Sequence, residues 1–426
     1  MNLNILKPNG ILKNFLTVMV GSGLARIISI LSIPILSRLY SPEDFGVLAF
    51  YSILISFIVP WASLSYSQAI PLIKNKKLAA RLFFLCCFIM FLFSIALYFF
   101  LFFYGADLFD FFGFTDLSSW VQMIVFGGLF AAFYELASTW AIRNKNFNGI
   151  AKSQCMQSFW GNFLKIAFGF LSIGPIGLLL GQLVNQSAGV LVLLKSWRKE
   201  FSWDLKGRLI ADAKLLIGHF SEFPIYKLPA QTFSILAANA PILMVSMLYN
   251  KAVMGQLSMA IMALSLPVGL LGGALAKVFY AEISSLGKRR VSDIKKLVIN
   301  LQKNLFFVGA PIALGVYLFA ENFFVVVLGD QWRLAGSFSS ILAPFLLFQF
   351  TSSPLMEVFN VLGRQVLNVY LQAARLFGLV CIYIFTNNYS IDYQYFIVAL
   401  SIFLSLFYIV TSFVVFWLIK RRLDIL

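Results

Sequence analysis

Polar residues along this chain are gathered into short intervals, and between them run long apolar stretches. A bilayer core of about 30 Å needs about 20 apolar residues per helix. Twelve stretches meet that requirement: 14–36, 45–70, 82–104, 119–142, 153–174, 176–196, 219–248, 252–283, 297–320, 337–360, 366–386 and 393–419. The first of them is not closed by a small-residue cleavage site, so it reads as a span and not as a cleavable signal. The pattern predicts an all-α polytopic membrane protein with about 12 transmembrane helices.

The polar interval around which the others are read is Pro34 to Phe50, PILSRLYSPEDFGVLAF. Pro34 is expected to interrupt a helix, Ser41-Pro42 marks a turn, and Glu43 and Asp44 follow. Two adjacent acids could form the acid site of a sugar-transferring enzyme. The outer loop here is too short to shape a sugar site, however, and N-capping by Ser-Pro-Glu-Asp is the expected role. The interval is echoed later. Leu39-Tyr40, five residues and Gly46 recur as Leu248-Tyr249, five residues and Gly255, each after a Pro-Ile-Leu, at an offset of 209. This predicts two pseudo-symmetric six-helix lobes, 1–196 and 219–426, in parallel repeat. Residues 197–218, which contain WRKEFSWDLKGRLIADAK, are the expected linker, a basic amphipathic segment on the anionic inner leaflet.

Composition agrees with a membrane protein: 60% apolar, 17% aromatic and 12% charged residues, with 47 phenylalanines. The net charge of +16 is not a nucleic-acid footprint, because the bases sit in the gaps between apolar runs. With both termini taken as cytoplasmic, that side holds 24 of the 33 Lys and Arg and the opposite loops hold three, Arg38, Lys251 and Arg333. This asymmetry predicts cytoplasmic termini. The four cysteines lie inside apolar runs without ligand spacing and read as packing residues.

Ionisable groups at membrane depth are costly and mark functional candidates. Glu222, Lys277, Glu282, Lys303 and Glu357 lie near span ends and can reach the interface. Arg26, Lys165 and Arg375 lie near the middle of their spans. Ser158, Asn162 and Lys165 share one helical face, and Asn368, Gln372 and Arg375 repeat the same spacing 210 residues on. The expectation is two polar stripes, each ending in a cation at similar depth. Gln182, Asn185 and Gln186 add amides from the sixth span. These groups either bond helix to helix or line a cavity for an anionic ligand. Lys227 is a further candidate cation, Glu135 and Glu222 are candidates for ion coupling, and Pro224, Pro229 and Pro241 interrupt the seventh span. No catalytic motif, metal cluster or cofactor-binding signature is present.

Ser22-Gly23-Leu24-Ala25 followed by PILSRLYSPEDFGVLAF resembles the N-terminal signature of O-antigen (Wzx-type) polysaccharide-repeat flippases. These belong to the multidrug/oligosaccharidyl-lipid/polysaccharide (MOP) exporter superfamily. Gly255 and LPVGLLGGALAKVFY, Leu266 to Tyr280, resemble that family's proline and glycine segment. The resemblance implies two six-helix lobes around a central cavity. It also implies alternating access that carries an undecaprenyl-pyrophosphate-linked oligosaccharide from the cytoplasmic to the periplasmic leaflet of a bacterial inner membrane. A polysaccharide polymerase and chain-length regulator would be its partners, besides membrane lipids. Two alternatives stay open: a cation-coupled multidrug exporter of the same superfamily working through Glu135, and a membrane polymerase or glycosyltransferase with a substantial outer loop.

Overall fold

The structure, a computed structural model, describes residues 11–200, 209–269, 279, 282–283, 286 and 290–423, and among these no strand forms. Helix α1, Ile11–Leu39, runs through Pro34 unbroken, so the interruption expected there does not occur. A membrane helix tolerates proline where nearby hydroxyls and neighbouring helices re-satisfy the backbone. Here Ser37 Oγ donates to the carbonyl of Pro34 at 3.0 Å.

Two residues later α2, Pro42–Ala62, begins with a capping box. The Asp44 amide donates to Ser41 Oγ at 3.2 Å and the Ser41 amide to Asp44 Oδ2 at 2.9 Å. Pro42 occupies the first turn, where its missing N–H costs nothing, and the two acids face the positive end of the helix. The acidic pair is thus a cap, as its spacing predicts.

The chain continues through a 3-10 helix at Tyr66–Leu72, then α3 (Lys76–Phe111), α4 (Val121–Arg143), α5 (Phe147–Phe170), α6 (Pro175–Glu200) and α7 (Leu209–His219). A single π-helical turn, Phe223–Lys227, leads into α8 (Leu228–Leu248) and α9 (Lys251–Pro267). The remainder is α10 (Val291–Leu328), α11 (Arg333–Ile341), α12 (Ala343–Ser352), α13 (Glu357–Val361), α14 (Gln365–Asn388) and α15 (Tyr393–Leu423). The hinge recurs where its sequence echo predicts. α1 ends at Leu39 and α8 at Leu248, α2 starts at Pro42 and α9 at Lys251, both pairs at the 209 offset. Asn250 caps α9 as Ser41 caps α2, accepting from the Val253 amide at 2.9 Å.

Among the described residues nine helices are long and apolar enough to cross a membrane, and ten if α11 and α12, bent by 53°, make one broken span. The other two expected spans correspond to α5, which is 24 residues long but carries the polar stripe, and to α9, a shorter apolar helix. Residues 270–278, within the expected eighth span and the second family-like segment, lie outside the described residues. So do 201–208 of the expected linker.

Two compact units form, Met1–Ile235 and Leu236–Leu426, and α8 runs from one into the other. In the first unit Phe83, Trp140, Tyr66 and Leu82 centre an apolar core, and Phe50 stacks on Phe114 at 4.4 Å. In the second unit Val298, Phe359, Leu355 and Val415 pack α10 against α13 and α15. Large apolar side chains also cover the outside: Phe103, Phe170, Phe307 and Phe377 are each about two-thirds or more exposed. Aqueous solvent would penalise that surface, whereas hydrocarbon does not.

Candidate functional site

The stripe on α5 is closed. Ser158 and Asn162 turn toward α1, where Asn162 Nδ2 donates to Ser29 Oγ at 3.3 Å and Ser29 Oγ to Ser158 Oγ at 3.5 Å. Lys165 turns toward α6: its Nζ donates to Gln182 Oε1 at 2.6 Å, and the residue is only 7% exposed. Gly181 presses on it, so that a Cβ there would lie 2.3 Å from Lys165 Cγ. Asn185 packs onto Gly161, and Gln186 Oε1 accepts from Tyr51 on α2 at 3.4 Å. These groups join helices by hydrogen bonds and close glycine contacts.

The matching stripe on α14 is not closed. Among the described residues Asn368 Oδ1 and Arg375 Nε are buried without a hydrogen-bond partner, and the Arg375 guanidinium lies 5.6 Å over the ring of Phe407 on α15. Gln372 is half-buried between them along the helix. Orphaned polar atoms at membrane depth are costly unless a ligand or water completes them.

The two cations do not stand at matching positions along their own helices. Both helices have 24 residues, but Lys165 lies five residues from the end of α5 and Arg375 thirteen from the end of α14. At 1.5 Å per residue the cations differ by about 12 Å in their position along their own helices. The helices themselves are spaced 218 residues apart, so the 210 offset that aligned the side chains does not align the helices.

A second polar cluster centres on Glu135. Gln68 Nε2, on the 3-10 helix, donates to Glu135 Oε1 at 3.2 Å and to Gln231 Oε1 on α8 at 3.3 Å. Ser67 also bonds Glu135, and Ser63 Oγ donates to Ser67 Oγ at 3.2 Å. Beside these, Trp61 Nε1 donates to Thr232 on α8 at 3.1 Å. The cluster therefore clamps the start of α8 to the irregular end of α2, where Leu64 and Ser65 hold φ of 49° and 59°, an uncommon conformation for residues other than glycine. Lys227 is exposed on the π turn, with Nζ 5.0 Å over Phe223, and acts on Glu135 through space. Glu222 is exposed before that turn and Arg26 is exposed on α1, and among the described residues no hydrogen bond brings either to the Glu135 cluster.

Residue spacing did not single out Gln68 and Gln231. Their signal was present as amides inside apolar stretches beside Pro71 and Pro229. The hinge tyrosines, which in the sequence mark only the repeat, tie one hinge to α5 and the other to the turn after α14. Tyr40 Oη donates to the Lys165 carbonyl at 2.7 Å, and Tyr249 Oη to the carbonyl of Ile391, just past α14, at 2.8 Å. Burial, and then Asp44, pushes the Tyr40 phenol up to about 12, and burial with Asp392 does the same for Tyr249. Both remain donors throughout the physiological range.

The sequence profile of the family described as "Polysaccharide biosynthesis protein" matches residues 35–336. This chain belongs to that family. No curated protein matches it by sequence. Among solved structures, this family member is similar to the lipid II flippase MurJ in an inward closed conformation, at 15% identity and TM-score 0.72 over 95% of this chain and 87% of that one. It is similar also to an inward-facing multidrug resistance MATE transporter of the MOP superfamily, at 15% identity and TM-score 0.67 over 95% and 94%. A mutant of the Vibrio cholerae MATE transporter VcmN aligns at 14% identity and TM-score 0.64 over 97% and 96%. The fold is the one shared by these MATE transporters and MurJ. These matched structures are transporters and a flippase, not enzymes. Among the described residues, only the short turn Asp330–Trp332 separates α10 from α11.

Proposed function

We propose that this protein is a flippase for undecaprenyl-pyrophosphate-linked oligosaccharide repeat units, O-antigen or a related surface polysaccharide. It works by alternating access in a bacterial inner membrane, with both termini cytoplasmic. The observation that carries this reading is the polysaccharide-biosynthesis profile spanning most of a chain built as a MOP-type carrier. Polysaccharide intermediates that cross a membrane on a carrier have a charged head and a lipid tail. Arg375, with Asn368 and Gln372 on the same helix face, meets the pyrophosphate. A guanidinium suits phosphate oxygens through paired donors, and the amides suit sugar hydroxyls. An interior-negative potential assists outward movement of the anion by about 2.3 kcal/mol per charge per 100 mV. The carrier has a polymerase and a chain-length regulator as partners.

Deletion of the gene should make lipid-linked repeat units accumulate in the cytoplasmic leaflet, and the wild-type chain should restore them to the outer one. Outer-leaflet repeat units at wild-type level in the deletion strain would refute the function. A second reading, a cation-coupled multidrug exporter, is favoured by the similarity to MATE transporters together with the half-buried carboxylate of Glu135. It requires the deletion strain to become drug-sensitive with its surface polysaccharide intact.

A further inference from the structure

Helices α5 and α6 touch along one line and part along the next. The line of contact is made by glycines: a Cβ on Gly161, Gly181 or Gly189 would lie 2.5, 2.3 or 2.8 Å from Asn185, Lys165 or Gln157. On the neighbouring face, Lys152, Met156 and Trp160 follow one side of α5, and Val184, Ala188 and Leu191 one side of α6. Between these two faces lies an open groove of about 720 Å³. Its long walls are apolar and open to the surroundings, with Trp160 42% and Leu191 67% exposed. One end is polar and carries the exposed side chain of Lys152.

The electrostatics of this stretch are one-sided. From Leu136 to Lys199 the chain contains no Asp or Glu and seven basic residues: Arg143, Lys145, Lys152, Lys165, Lys195, Arg198 and Lys199. No carboxylate on α5, or on α6 before its last residue, neutralises Lys152. A hydrocarbon-lined slot ending in a cation that has no ion pair among the described residues matches a lipid with an anionic head.

We propose that this groove binds an anionic phospholipid of the cytoplasmic leaflet, with one acyl chain along Met156, Trp160 and Ala188 and the phosphate against Lys152. The leaflet follows from the distribution of basic residues, which places the α5 start on the cytoplasmic side. The site lies within the first compact unit and does not depend on what the carrier moves. A bound acyl chain would fill the space that the small residues leave and hold the outer faces of α5 and α6 at a fixed separation.

The test titrates the purified full-length protein in micelles with phosphatidylglycerol brominated on its acyl chains, reading tryptophan quenching. Brominated phosphatidylcholine serves as the uncharged control. The chain has eight tryptophans, so the signal of interest is the part removed by Trp160→Phe. That part should saturate, with phosphatidylglycerol binding about fivefold tighter than phosphatidylcholine, the effect of one basic side chain on an anionic lipid. Lys152→Gln, at an exposed position, should bring the two lipids level while the Trp160 signal remains. Equal affinity of the two lipids for the wild-type protein would overturn the proposal, and so would a phosphatidylglycerol preference that survives Lys152→Gln. Displacement of phosphatidylglycerol by undecaprenyl phosphate at far lower concentration would also overturn it, by assigning the groove to a polyprenyl chain.

Discussion

If Lys165 is a packing residue, removing its partner should harm the protein more than removing the lysine itself. Its ammonium has Gln182 Oε1 as a partner at 2.6 Å and is closed in by Gly181. Gln182→Leu leaves that charge buried without its acceptor, and hydrogen bonds to charged groups contribute about 1.5–3 kcal/mol. Lys165→Met keeps the apolar stem and removes the buried charge. It leaves one amide oxygen unpaired, a smaller penalty that relief of the charge partly offsets. The double substitution Lys165→Met with Gln182→Leu removes both partners and should lie within about 0.5 kcal/mol of wild type, which gives a coupling energy of about 1–3 kcal/mol. Unfolding of the four proteins in mixed micelles of rising sodium dodecyl sulfate fraction would measure it. Export of surface polysaccharide by each variant supplies the second readout. Strictly additive effects would refute the pairing. A Lys165→Met protein of wild-type stability that exports nothing would refute the packing role and restore Lys165 as a ligand-binding cation.

Arg375→Gln should abolish export of surface polysaccharide while the protein stays in the membrane at normal level, because among the described residues the guanidinium has an unpartnered Nε and no ion pair to lose; normal export in that variant would remove Arg375 from the site. Gly181→Ala should cost about 1–3 kcal/mol by overpacking against Lys165 and the Gly161 carbonyl, despite the better helix propensity of alanine, and unfolding midpoints would show it. Tyr40→Phe and Tyr249→Phe should each lose about 1 kcal/mol. Because each phenol is raised from 10.0 to about 12, its contribution is fully present below pH 10 and disappears only as pH rises through about 12. The stability difference from wild type should therefore be constant between about pH 6 and 9, and a slope in that window would contradict the latch. Glu135→Gln preserves an acceptor for Gln68 and should keep the protein folded. Any change in the pH dependence of transport would then report on the carboxyl itself, and an unchanged profile would confine Glu135 to clamping α8.

The hinge was legible in the sequence because capping is local. Ser41, Pro42 and Asp44 satisfy the first turn of α2 among themselves, so their order alone predicts a helix start, and the same chemistry at Asn250 fixes the repeat. The polar stripes were legible as helix faces but not as sites. Spacing puts Ser158, Asn162 and Lys165 on one side of α5 without saying what lies opposite, and here it is α1 for two of them and the Gly181 side of α6 for the third. A side chain's role at membrane depth depends on its partner in a distant part of the sequence. Asn368 and Arg375 have the same spacing on α14 and keep orphaned atoms among the described residues, an acceptor and a donor, so the same pattern reads as glue in one unit and as an open polar set in the other. The hinges repeat at 209 residues while the fifth helices repeat at 218, so extra residues enter the second unit between them, and a side-chain match at 210 joins positions that the fold does not equate. A repeat read from sequence holds only as far as the next insertion, and the cation to test for ligand binding is therefore Arg375 by itself, without Lys165 as its counterpart.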